Sequence, residues 1–440
     1  MSLQTSSIDK ITIVGAGIGG LVLARILQQA GIKVVIYERE ASLNSRSQGG
    51  TLDMHEESGL LALRMANLFD QFQKYSSYEA DEFLIRGKDG SVAFSDQDPD
   101  AAPHLNERPE IDRKHLRQIL IDSLEPDTIR WGHTLRSIAP STDGSPLHDL
   151  TFERQEEDGS RTRLSVRASF VVGADGAWSR VRSLLSSVMP HYSGVCYVES
   201  EITDVDNRFP EIAKFIRDGH MFAIEDNKGI VTQRCSGGVV KVSTFWRVPE
   251  TWMKEQGLSS ESDPEQTRAR LLELFNGWSE ETRNIIRACD PTFVPRPLVV
   301  LEPYFTWRTT PGVTLLGDAA HVMSPFAGEG ANMAMLDAVE LATALIKVVK
   351  KDGRSTTPID GAIRAYEQKM QKRAGSASKE STYHMDLFIS SNAPKAAANR
   401  MRFLFSLWPP RPLVLAHLLV QYVFDMFSSL FSSSSRSTPK

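Results

Sequence analysis

Residues 10–38 read KITIVGAGIGGLVLARILQQAGIKVVIYE, and this stretch decides the fold. Lys10–Val14 and Lys33–Tyr37 are short runs rich in β-branched residues, a pattern typical of buried strands. Ile18–Ala30 has the apolar spacing of a helix, and Gly31 follows it as a terminator. Strand, helix and strand in close succession predict a β–α–β unit whose two strands lie parallel in one sheet.

The turn between the first strand and the helix carries the pattern GxGxxG. Gly15 permits a tight turn, Gly17 lets the backbone approach a pyrophosphate, and Gly20 lets the helix pack closely on the strand. The helix N-terminus then offers unpaired N–H groups and the positive end of its dipole to the phosphates. A glycine turn without a ligand is the alternative, but the flanking strand and helix favour dinucleotide binding.

Glu38 ends the second predicted strand, eighteen residues after Gly20. A carboxylate at this place accepts hydrogen bonds from the hydroxyls of an adenosine ribose. The same charge repels a 2′-phosphate. This site is therefore expected to hold FAD or NAD rather than NADP.

A second glycine turn, Gly173-Ala174-Asp175-Gly176, follows the predicted strand Leu164–Val172. An aspartate at a strand end can accept hydrogen bonds from backbone N–H groups and fix a loop near a phosphate. Ordinary Asp-Gly turns are common, and taken alone these four residues favour that simpler interpretation.

A third turn begins with Gly317-Asp318, directly after the predicted strand Val313–Leu316. A carboxylate at this strand end can hold a ribityl hydroxyl, and glycines let backbone N–H groups approach a flavin ring. The positive helix end at Ala331 can stabilise negative charge on the ring. A purely structural strand–loop–helix connection is the alternative. The loop continues through Pro325, Phe326 and Gly328, and the helix is predicted over Ala331–Val349.

A β-rich segment lies between the second and third turns. Val195–Ile202, Gly229–Arg234 and Val239–Arg247 are predicted strands, and Glu265–Leu274 is a predicted helix. We therefore expect an α/β fold: a discontinuous Rossmann-type FAD-binding domain with an inserted β-sheet substrate domain and C-terminal helices. The predicted boundaries are 1–190 and 289–385 for the two parts of the FAD-binding domain, the second with a bridging helix. They are 191–288 for the insert and 386–440 for an amphipathic, apolar tail.

Composition excludes several other classes of protein. The chain has 440 residues and a net charge of -5, so it lacks the basic field of a nucleic-acid-binding protein. Its three cysteines (Cys196, Cys235 and Cys289) are far apart, which argues for a reducing compartment and against disulfides. The histidines show no ligand spacing, and we expect no metal. No secretory signal begins the sequence, so a cytoplasmic location is expected.

Residues 412–431 are apolar over about 20 residues, the length that spans a bilayer. His417, Gln421 and Asp425 recur at every fourth position and would line one face of a helix. An amphipathic helix fits better than a membrane span. It would either pack on the protein or make peripheral membrane contact, and both alternatives stay open.

Together, the three turns resemble the FAD-dependent aromatic hydroxylase family, typified by para-hydroxybenzoate hydroxylase and salicylate hydroxylase. That family carries GxGxxG, a DG motif and a GD motif in this order and at similar spacing, and the resemblance covers most of residues 8–385. Within it, residues 48–55 (QGGTLDMH), 109–117 (PEIDRKHLR) and Gly317–Gly330 are most similar to the tetracycline-degrading flavin monooxygenases and their fungal relatives.

The resemblance implies roles at individual positions, and for three arginines a solvated charged surface is the alternative. Glu38 would bind the FAD ribose, Asp53 would lie near the flavin, and Asp318 would hold the ribityl and pyrophosphate region. Arg113, with Arg117 as a second candidate, would reach the flavin or its phosphates, Asp175 would contact FAD and NAD(P)H, and Arg46 would contact the nicotinamide cofactor.

The resemblance also implies an activity. NADPH or NADH would reduce FAD, and a C4a-hydroperoxyflavin formed with O2 would hydroxylate or epoxidise an aromatic or polyketide-like small molecule, with fungal secondary metabolism as the setting. An FAD-dependent oxidase or dehydrogenase on the same fold, or a non-catalytic flavin-binding protein, is the alternative.

Aromatic residues suggest where a substrate would bind, although a plain core role is the alternative for them. Candidate pocket walls are Phe222, Phe245 and Trp246 on the insert, with Pro325, Phe326 and Gly328 on the flavin side. Glu199 and Met221 stand where a glutamine and an arginine that bind tetracycline are expected, so tetracycline is not the expected substrate. The sequence identifies no catalytic residue.

Overall fold

The computed structural model describes residues 10–45, 49–77, 82–97, 108–156, 159–349 and 359–406. Within these ranges the chain forms two large β-sheets, each packed against helices. The strands are β1 (Ile11–Val14), β2 (Val34–Tyr37), β3 (Thr51–Asp53), β4 (Phe83–Arg86), β5 (Val92–Ser95), β6 (Glu110–Asp112), β7 (Ile129–Arg130), β8 (His133–Pro140), β9 (His148–Gln155), β10 (Arg161–Ala168), β11 (Phe170–Gly173), β12 (His191–Ile202), β13 (His220–Glu225), β14 (Lys228–Arg234), β15 (Val240–Arg247), β16 (Val294–Val300) and β17 (Val313–Leu315).

Helices cover the sheets and connect many of the strands. Gly19 lets the first long helix approach the helix after the third turn, because a Cβ at Gly19 would lie 2.9 Å from the Ala334 carbonyl oxygen. The helices are α1 (Ile18–Gln29), α2 (Leu61–Met65), α3 (Phe69–Gln73), α4 (Arg113–Asp122), α5 (Arg182–Leu185), α6 (Val205–Arg208), α7 (Pro210–Ile216), α8 (Trp252–Glu255), α9 (Pro264–Leu274), α10 (Glu280–Ala288), α11 (Asp318–His321), α12 (Gly330–Val349), α13 (Ile359–Phe388) and α14 (Lys395–Ser406).

The first sheet is parallel and has the strand order β17-β11-β1-β2-β7. All four residues of β1 and of β11 are buried, as expected where helices cover both faces of a parallel sheet. Since β1, β11 and β17 are neighbours, the three turns that follow them lie at one edge of the sheet. The predicted discontinuous Rossmann-type α/β fold is confirmed.

The second sheet has seven strands in the order β16-β12-β15-β14-β13-β4-β5. Its central part, β12 to β15, comes from the predicted insert at 191–288. However, β4 and β5 precede that segment in the chain and β16 follows it, so the sheet includes strands from outside residues 191–288.

The two faces of the seven-stranded sheet have different neighbours. The far face packs under α7 to α10 and includes Met221 and Trp246. The near face packs against the ends of α13 and α14 and against the 3₁₀ turn Pro325–Ala327, and it includes Phe222 and Phe245. Successive side chains of a strand point to opposite faces, which separates Phe245 from Trp246.

Three predicted elements differ from the structure by more than two residues, and one of them is β12, which begins at His191 and not at Val195. The predicted strand Leu164–Val172 is two strands, because β10 pairs antiparallel with β9 whereas β11 joins the parallel sheet beside β1. The apolar spacing of Ile363–Thr382 predicts a helix, and in the structure this helix is longer and forms α13. The βαβ opening agrees with the prediction to within two residues at each end, and so does α4, for which the apolar spacing of Arg113–Leu124 predicts a helix.

Among the residues that the structure describes, no helix combines the length and the apolar character needed to cross a bilayer. The tail at 412–431 lies outside the described residues. Cys196 and Cys289 are buried free thiols, and Cys235 is a partly exposed one.

Candidate cofactor and substrate site

The first glycine turn is held against the second. Gly15 has φ +107°, and a Cβ there would lie 2.7 Å from the carbonyl carbon of Ala174 and closer still to its oxygen. A Cβ at Gly20 would overlap the carbonyl oxygen of Gly15 and lie 3.3 Å from the Ala174 side chain. These glycines therefore let β1, α1 and the turn after β11 come together.

The N-terminus of α1 fits a phosphate ligand. Gly17 precedes the helix, no side chain caps it, and the first turn contains no acidic residue. A Cβ at Gly17 would meet nothing nearer than the Ala174 carbonyl oxygen at 4.0 Å. The backbone N–H groups of this turn are thus open to an anion, as the dinucleotide prediction requires.

Glu38 lies at the end of β2, where it fixes the first turn. The Ala16 N–H donates to Glu38 Oε2 at 2.6 Å, and the Glu40 N–H donates to Glu38 Oε1 at 2.8 Å. Its side chain is buried. Each carboxylate oxygen has a second lone pair, so the residue can still accept a ribose hydroxyl while it orders the turn.

Arg117 is buried and not part of a solvated surface. Its Nε donates to the Ala16 carbonyl oxygen at 3.0 Å, and a terminal nitrogen donates to Glu40 Oε2 at 2.8 Å. Arg117 therefore joins α4 to the glycine turn and to the chain after β2. This places it beneath the proposed FAD site as a structural support.

Arg117→Ala is expected to lower the stability of the folded protein by about 2–3 kcal/mol, because the Glu40 carboxylate and the Ala16 carbonyl would lose a charged donor. Thermal melting of the purified variant measures the loss. Arg117→Lys keeps the charge but cannot make both contacts, so it should fall between wild type and Arg117→Ala. Equal melting temperatures for all three proteins would contradict the assignment.

The carboxylate of Asp175, in the second turn, accepts hydrogen bonds from residues of the same loop. Its carboxylate accepts from the Ser179 hydroxyl at 2.5 Å and from the backbone N–H groups of Arg180 and Val181 at 2.7 and 3.3 Å. Burial raises its pKa, although these hydrogen bonds oppose the shift. The ordinary-turn interpretation thus describes its local contacts, and a direct cofactor contact stays a prediction.

Asp318 opens α11 after β17, and its side chain is exposed at the edge of the sheet. Among the described residues its carboxylate has no hydrogen bond, and the charges of Arg113 and Arg182 act on it. A negative group free to accept hydrogen bonds at this edge fits the predicted contact with a ribityl chain.

A buried charge network supports the third turn from behind. Asp337 on α12 accepts from the Gly317 N–H at 3.0 Å, is hydrogen-bonded to His321 Nε2 at 2.6 Å, and pairs with Arg373 at 2.7 Å. Burial alone lowers the pKa of His321, but Asp337 offsets this and the pKa is raised overall. The network fixes the backbone on which Asp318 stands.

The loop after α11 faces β3 across the edge of the sheet. Gly328 has φ +68°, and a Cβ there would lie 3.5 Å from Asp53 Oδ1. Asn332, which the sequence analysis did not single out, accepts from the His55 N–H at 3.1 Å and donates to the Asp53 carbonyl at 2.8 Å. Asp53 and the start of α12 near Ala331 are therefore tied together.

Arg113 begins α4, directly after β6. Its backbone N–H donates to the Gly50 carbonyl oxygen at 3.1 Å, and its Nε lies 3.6 Å from where a Cβ of Gly49 would stand. The residue thus lies beside the same edge as Asp318, whose charge it faces. Arg46, predicted to contact the nicotinamide cofactor, lies outside the described residues.

The predicted pocket walls separate into two groups. Phe245 and Phe326 are 5.4 Å apart between ring centroids, and Phe222 shares their cluster through Phe388 at 5.1 Å. Trp246 instead packs on the far face of the sheet, 5.6 Å from the ring of Phe275. Consecutive residues of β15 face opposite sides, so Trp246 and Phe245 do not line the same face of the sheet, and a pocket role for Trp246 stays a prediction.

Met221 is also on the far face, buried with Trp246. The position aligned with a tetracycline-binding arginine therefore points away from Pro325 and Phe326. Glu199 lies on the near face, because it is two residues from Tyr197 on the same strand. Its carboxylate pairs with Arg296 at 2.7 Å.

Known proteins are similar to this chain in sequence or in fold. Monooxygenase asqM of Emericella nidulans is 29% identical over 435 residues, covering 87% of this chain and 96% of asqM. The solved structure of Klebsiella pneumoniae HpxO complexed with FAD and uric acid matches with a TM-score of 0.67 at 21% identity, covering 93% of this chain and 95% of HpxO. Tetracycline destructase Tet(51) matches with a TM-score of 0.64 at 20% identity, covering 90% of this chain and 95% of Tet(51).

The model of the family described as "FAD binding domain" matches residues 9–379. This match and the relatives confirm the predicted resemblance, FAD as the cofactor, and the class of FAD-dependent monooxygenases. The chain belongs to the FAD binding domain family.

Proposed function

We propose that this protein consumes NADPH or NADH and adds one oxygen atom of O2 to an aromatic or polyketide-like small molecule, by hydroxylation or epoxidation. The observation that carries the proposal is the convergence of three turns, at residues 15–20, 173–176 and 317–330, beyond the carboxyl ends of neighbouring parallel strands. Ligands of open α/β sheets bind at this edge. The fungal relative named monooxygenase supports the oxygenase class, and secondary metabolism is the setting we propose.

The residues at this edge fit FAD in an extended form. The open N-terminus of α1 at Gly17 would hold the pyrophosphate, and Glu38 would hold the adenosine ribose. Asp318 would accept from the ribityl chain, and the start of α12 at Ala331 would place positive helix-dipole charge beside the ring. Bound FAD would supply the redox and oxygen chemistry.

Two further side chains complete the proposed cofactor site. Arg113 stands at the same edge as Asp318 and offers a fixed positive charge to the phosphates or the ring. Asp53 lies against Gly328, where it would meet the flavin side of the loop. Contacts of Asp175 and Arg46 with the nicotinamide cofactor belong to the proposal on the strength of the resemblance.

The substrate would bind between the near face of the seven-stranded sheet and the loop carrying Pro325, Phe326 and Gly328. Phe222 and Phe245 give this space an apolar wall, and Phe326 faces them from the loop. An apolar wall excludes water, which limits the unproductive release of hydrogen peroxide, and it holds an aromatic body by stacking. An aromatic or polyketide-like molecule suits such a surface better than a charged one.

We propose a cytoplasmic location, because Cys196, Cys235 and Cys289 are unpaired thiols and fit a reducing compartment. Peripheral membrane contact by residues 412–431 stays a prediction.

The activity is tested with purified, FAD-loaded protein and a panel of phenols and polyketides. NADPH and NADH oxidation is followed with and without each compound, isotopically labelled O2 is supplied, and products are analysed by mass spectrometry. We expect at least one compound to stimulate oxidation and to gain one labelled oxygen atom. Hydrogen peroxide with a dehydrogenated product would favour the oxidase alternative. Bound flavin that neither nicotinamide reduces would favour a non-catalytic flavin protein.

A further inference from the structure

A polar contact joins the seven-stranded sheet to the two-stranded ribbon formed by β3 and β6. His220 Nδ1 on β13 lies 3.4 Å from Glu110 Oε1 on β6. The Thr51 hydroxyl donates to the other oxygen of Glu110 at 2.6 Å, and the Gln233 side-chain amide on β14 donates to Thr51 Oγ1 at 2.6 Å. His220 and Gln233 are cross-strand partners on β13 and β14, so both strands contribute a side chain to the contact.

The same ribbon leads on to the proposed flavin loop. Asp53 is the direct cross-strand partner of Glu110 in the β3–β6 pair. Its carboxylate is hydrogen-bonded to His55 Nε2 at 2.8 Å, and His55 Nδ1 lies 3.5 Å from Glu329, which follows Gly328 in the loop. A continuous set of ionisable groups therefore connects the loop to the sheet.

Glu110 is the unusual member of this set. Its side chain is 3% exposed, and among the described residues its Oε1 is buried without a hydrogen-bond partner. Burial raises the pKa of Glu110 to about 7, with the charges of Asp53 and Asp112 adding to the shift. Burial lowers the pKa of His220. Glu110 can therefore exchange a proton near neutral pH, whereas burial favours the neutral form of His220.

The charged groups around the pair come from every neighbouring element. Negative charge on Asp53 and Asp112 makes ionisation of Glu110 harder. Positive partners act mainly on Asp53, whose pKa is lowered although burial alone would raise it. The surrounding titratable or charged groups are Asp53, His55, Arg108, Asp112, Glu329, Cys235 and Lys241.

We propose that Glu110, paired with His220, is an acid–base site that binds one proton from solvent when negative charge builds up at the flavin. This inference rests on the proposed function, because it needs FAD at the edge beside Asp53 and Gly328. The reduced nicotinamide passes two electrons and one proton to FAD, which leaves one net negative charge there. A second proton leaves hydronium, and an O–H bond forms on the Glu110 carboxylate.

The direction of the effect follows from electrostatics. A nearby negative charge disfavours the ionised form of a carboxylic acid, so flavin reduction raises the pKa of Glu110. Below pH 7 the group is already protonated in the oxidised enzyme and takes up little. Above pH 7 it is ionised before reduction and protonated after it, until the pH exceeds the raised pKa. Proton uptake is therefore expected in a window that begins near pH 7.

The midpoint potential of the bound flavin measures this proton. We titrate the FAD-loaded protein between pH 6 and pH 9 and follow the visible flavin absorption. Two electrons with one proton give a slope of about 30 mV per pH unit, and a second proton raises it to about 59 mV per pH unit. Wild type should show the steeper slope just above pH 7, and Glu110→Gln should show about 30 mV per pH unit there.

Two further variants make the test specific. Thr51→Val removes a donor that favours the charged form of Glu110, so the steep segment should begin at a higher pH than in wild type. Glu153→Gln, on β9 of the separate β10-β9-β8 sheet, should leave the wild-type slope unchanged, because its carboxylate pairs with Arg136 and not with the Glu110 cluster. If Glu110→Gln does not fold, wild type and Thr51→Val decide the outcome.

Equal slopes in wild type and Glu110→Gln, a wild-type slope near 30 mV per pH unit above pH 7, or an unmoved segment in Thr51→Val would overturn the proposal. A protein that takes up no FAD would overturn it together with the proposed function. A protein that shows the steep segment but oxygenates no compound would support the acid–base site and count against the proposed monooxygenase reaction.

Discussion

Gly15→Ala is expected to lower the free energy of unfolding by about 4 kcal/mol. An alanine at φ +107° is strained by about 1–3 kcal/mol, and its Cβ would meet the carbonyl group of Ala174, which is backbone and cannot rotate away. Separating the first and second turns would disturb β1 and β11 and add an overpacking cost of similar size. A total of about 4 kcal/mol is a large share of a typical folding free energy.

Thermal melting and FAD uptake of purified Gly15→Ala measure this effect. Gly144→Ala is the matched control, because Gly144 also has a left-handed conformation, φ +78°, but no heavy atom lies within 4 Å of its Cβ position. It should lose only the backbone strain, about 1 kcal/mol. Similar melting temperatures for the two variants would mean that the contact between Gly15 and Ala174 does not constrain the fold.

The parts of the fold that the sequence predicted are those set by local pattern. Residues 10–38 carry strand periodicity, helix periodicity and a glycine turn within a short stretch, so the βαβ unit needs no long-range information. The three turns could be assigned to one cofactor because they share a strand-to-turn pattern. Parallel pairing of β1, β11 and β17 then brings them to one edge.

Pairing between distant segments could not be predicted in this way. β4 and β5 are short, and nothing in their own residues indicates that β4 pairs with β13, more than a hundred residues later. The sequence could not predict which residues of β15 face the proposed substrate space, because Phe245 and Trp246 are both apolar and both buried. In a sheet covered on two sides, alternation of polar and apolar residues gives no signal.

The burial and the partners of charged residues could not be predicted from the sequence for a related reason. Arginine is seldom fully buried without a partner, so a solvated surface was a fair alternative for Arg117. The partners Glu40 and Ala16 are distant in sequence, and only the fold shows them. The contact between Glu110 and His220 joins two different sheets and has no motif of its own.

Asp318→Ala is expected to remove the yellow colour of the protein by releasing FAD, while leaving the fold intact. Hydrogen bonds to a charged group contribute about 1.5–3 kcal/mol, which corresponds to a rise in the FAD dissociation constant of about 10- to 100-fold. The fold should persist because the exposed carboxylate has no hydrogen bond among the described residues. Fluorescence titration with FAD and melting of the FAD-free protein measure the two effects separately.

The contrast with a buried neighbour sharpens this prediction. Asp337→Asn would disturb the pairing with His321 and Arg373, so it should lower the melting temperature of the FAD-free protein as well as FAD affinity. Asp122→Ala, at the exposed end of α4, should change neither. If Asp318→Ala melted early without FAD, the aspartate would be a structural residue. If it kept full FAD affinity, the third turn would not reach the cofactor through this side chain.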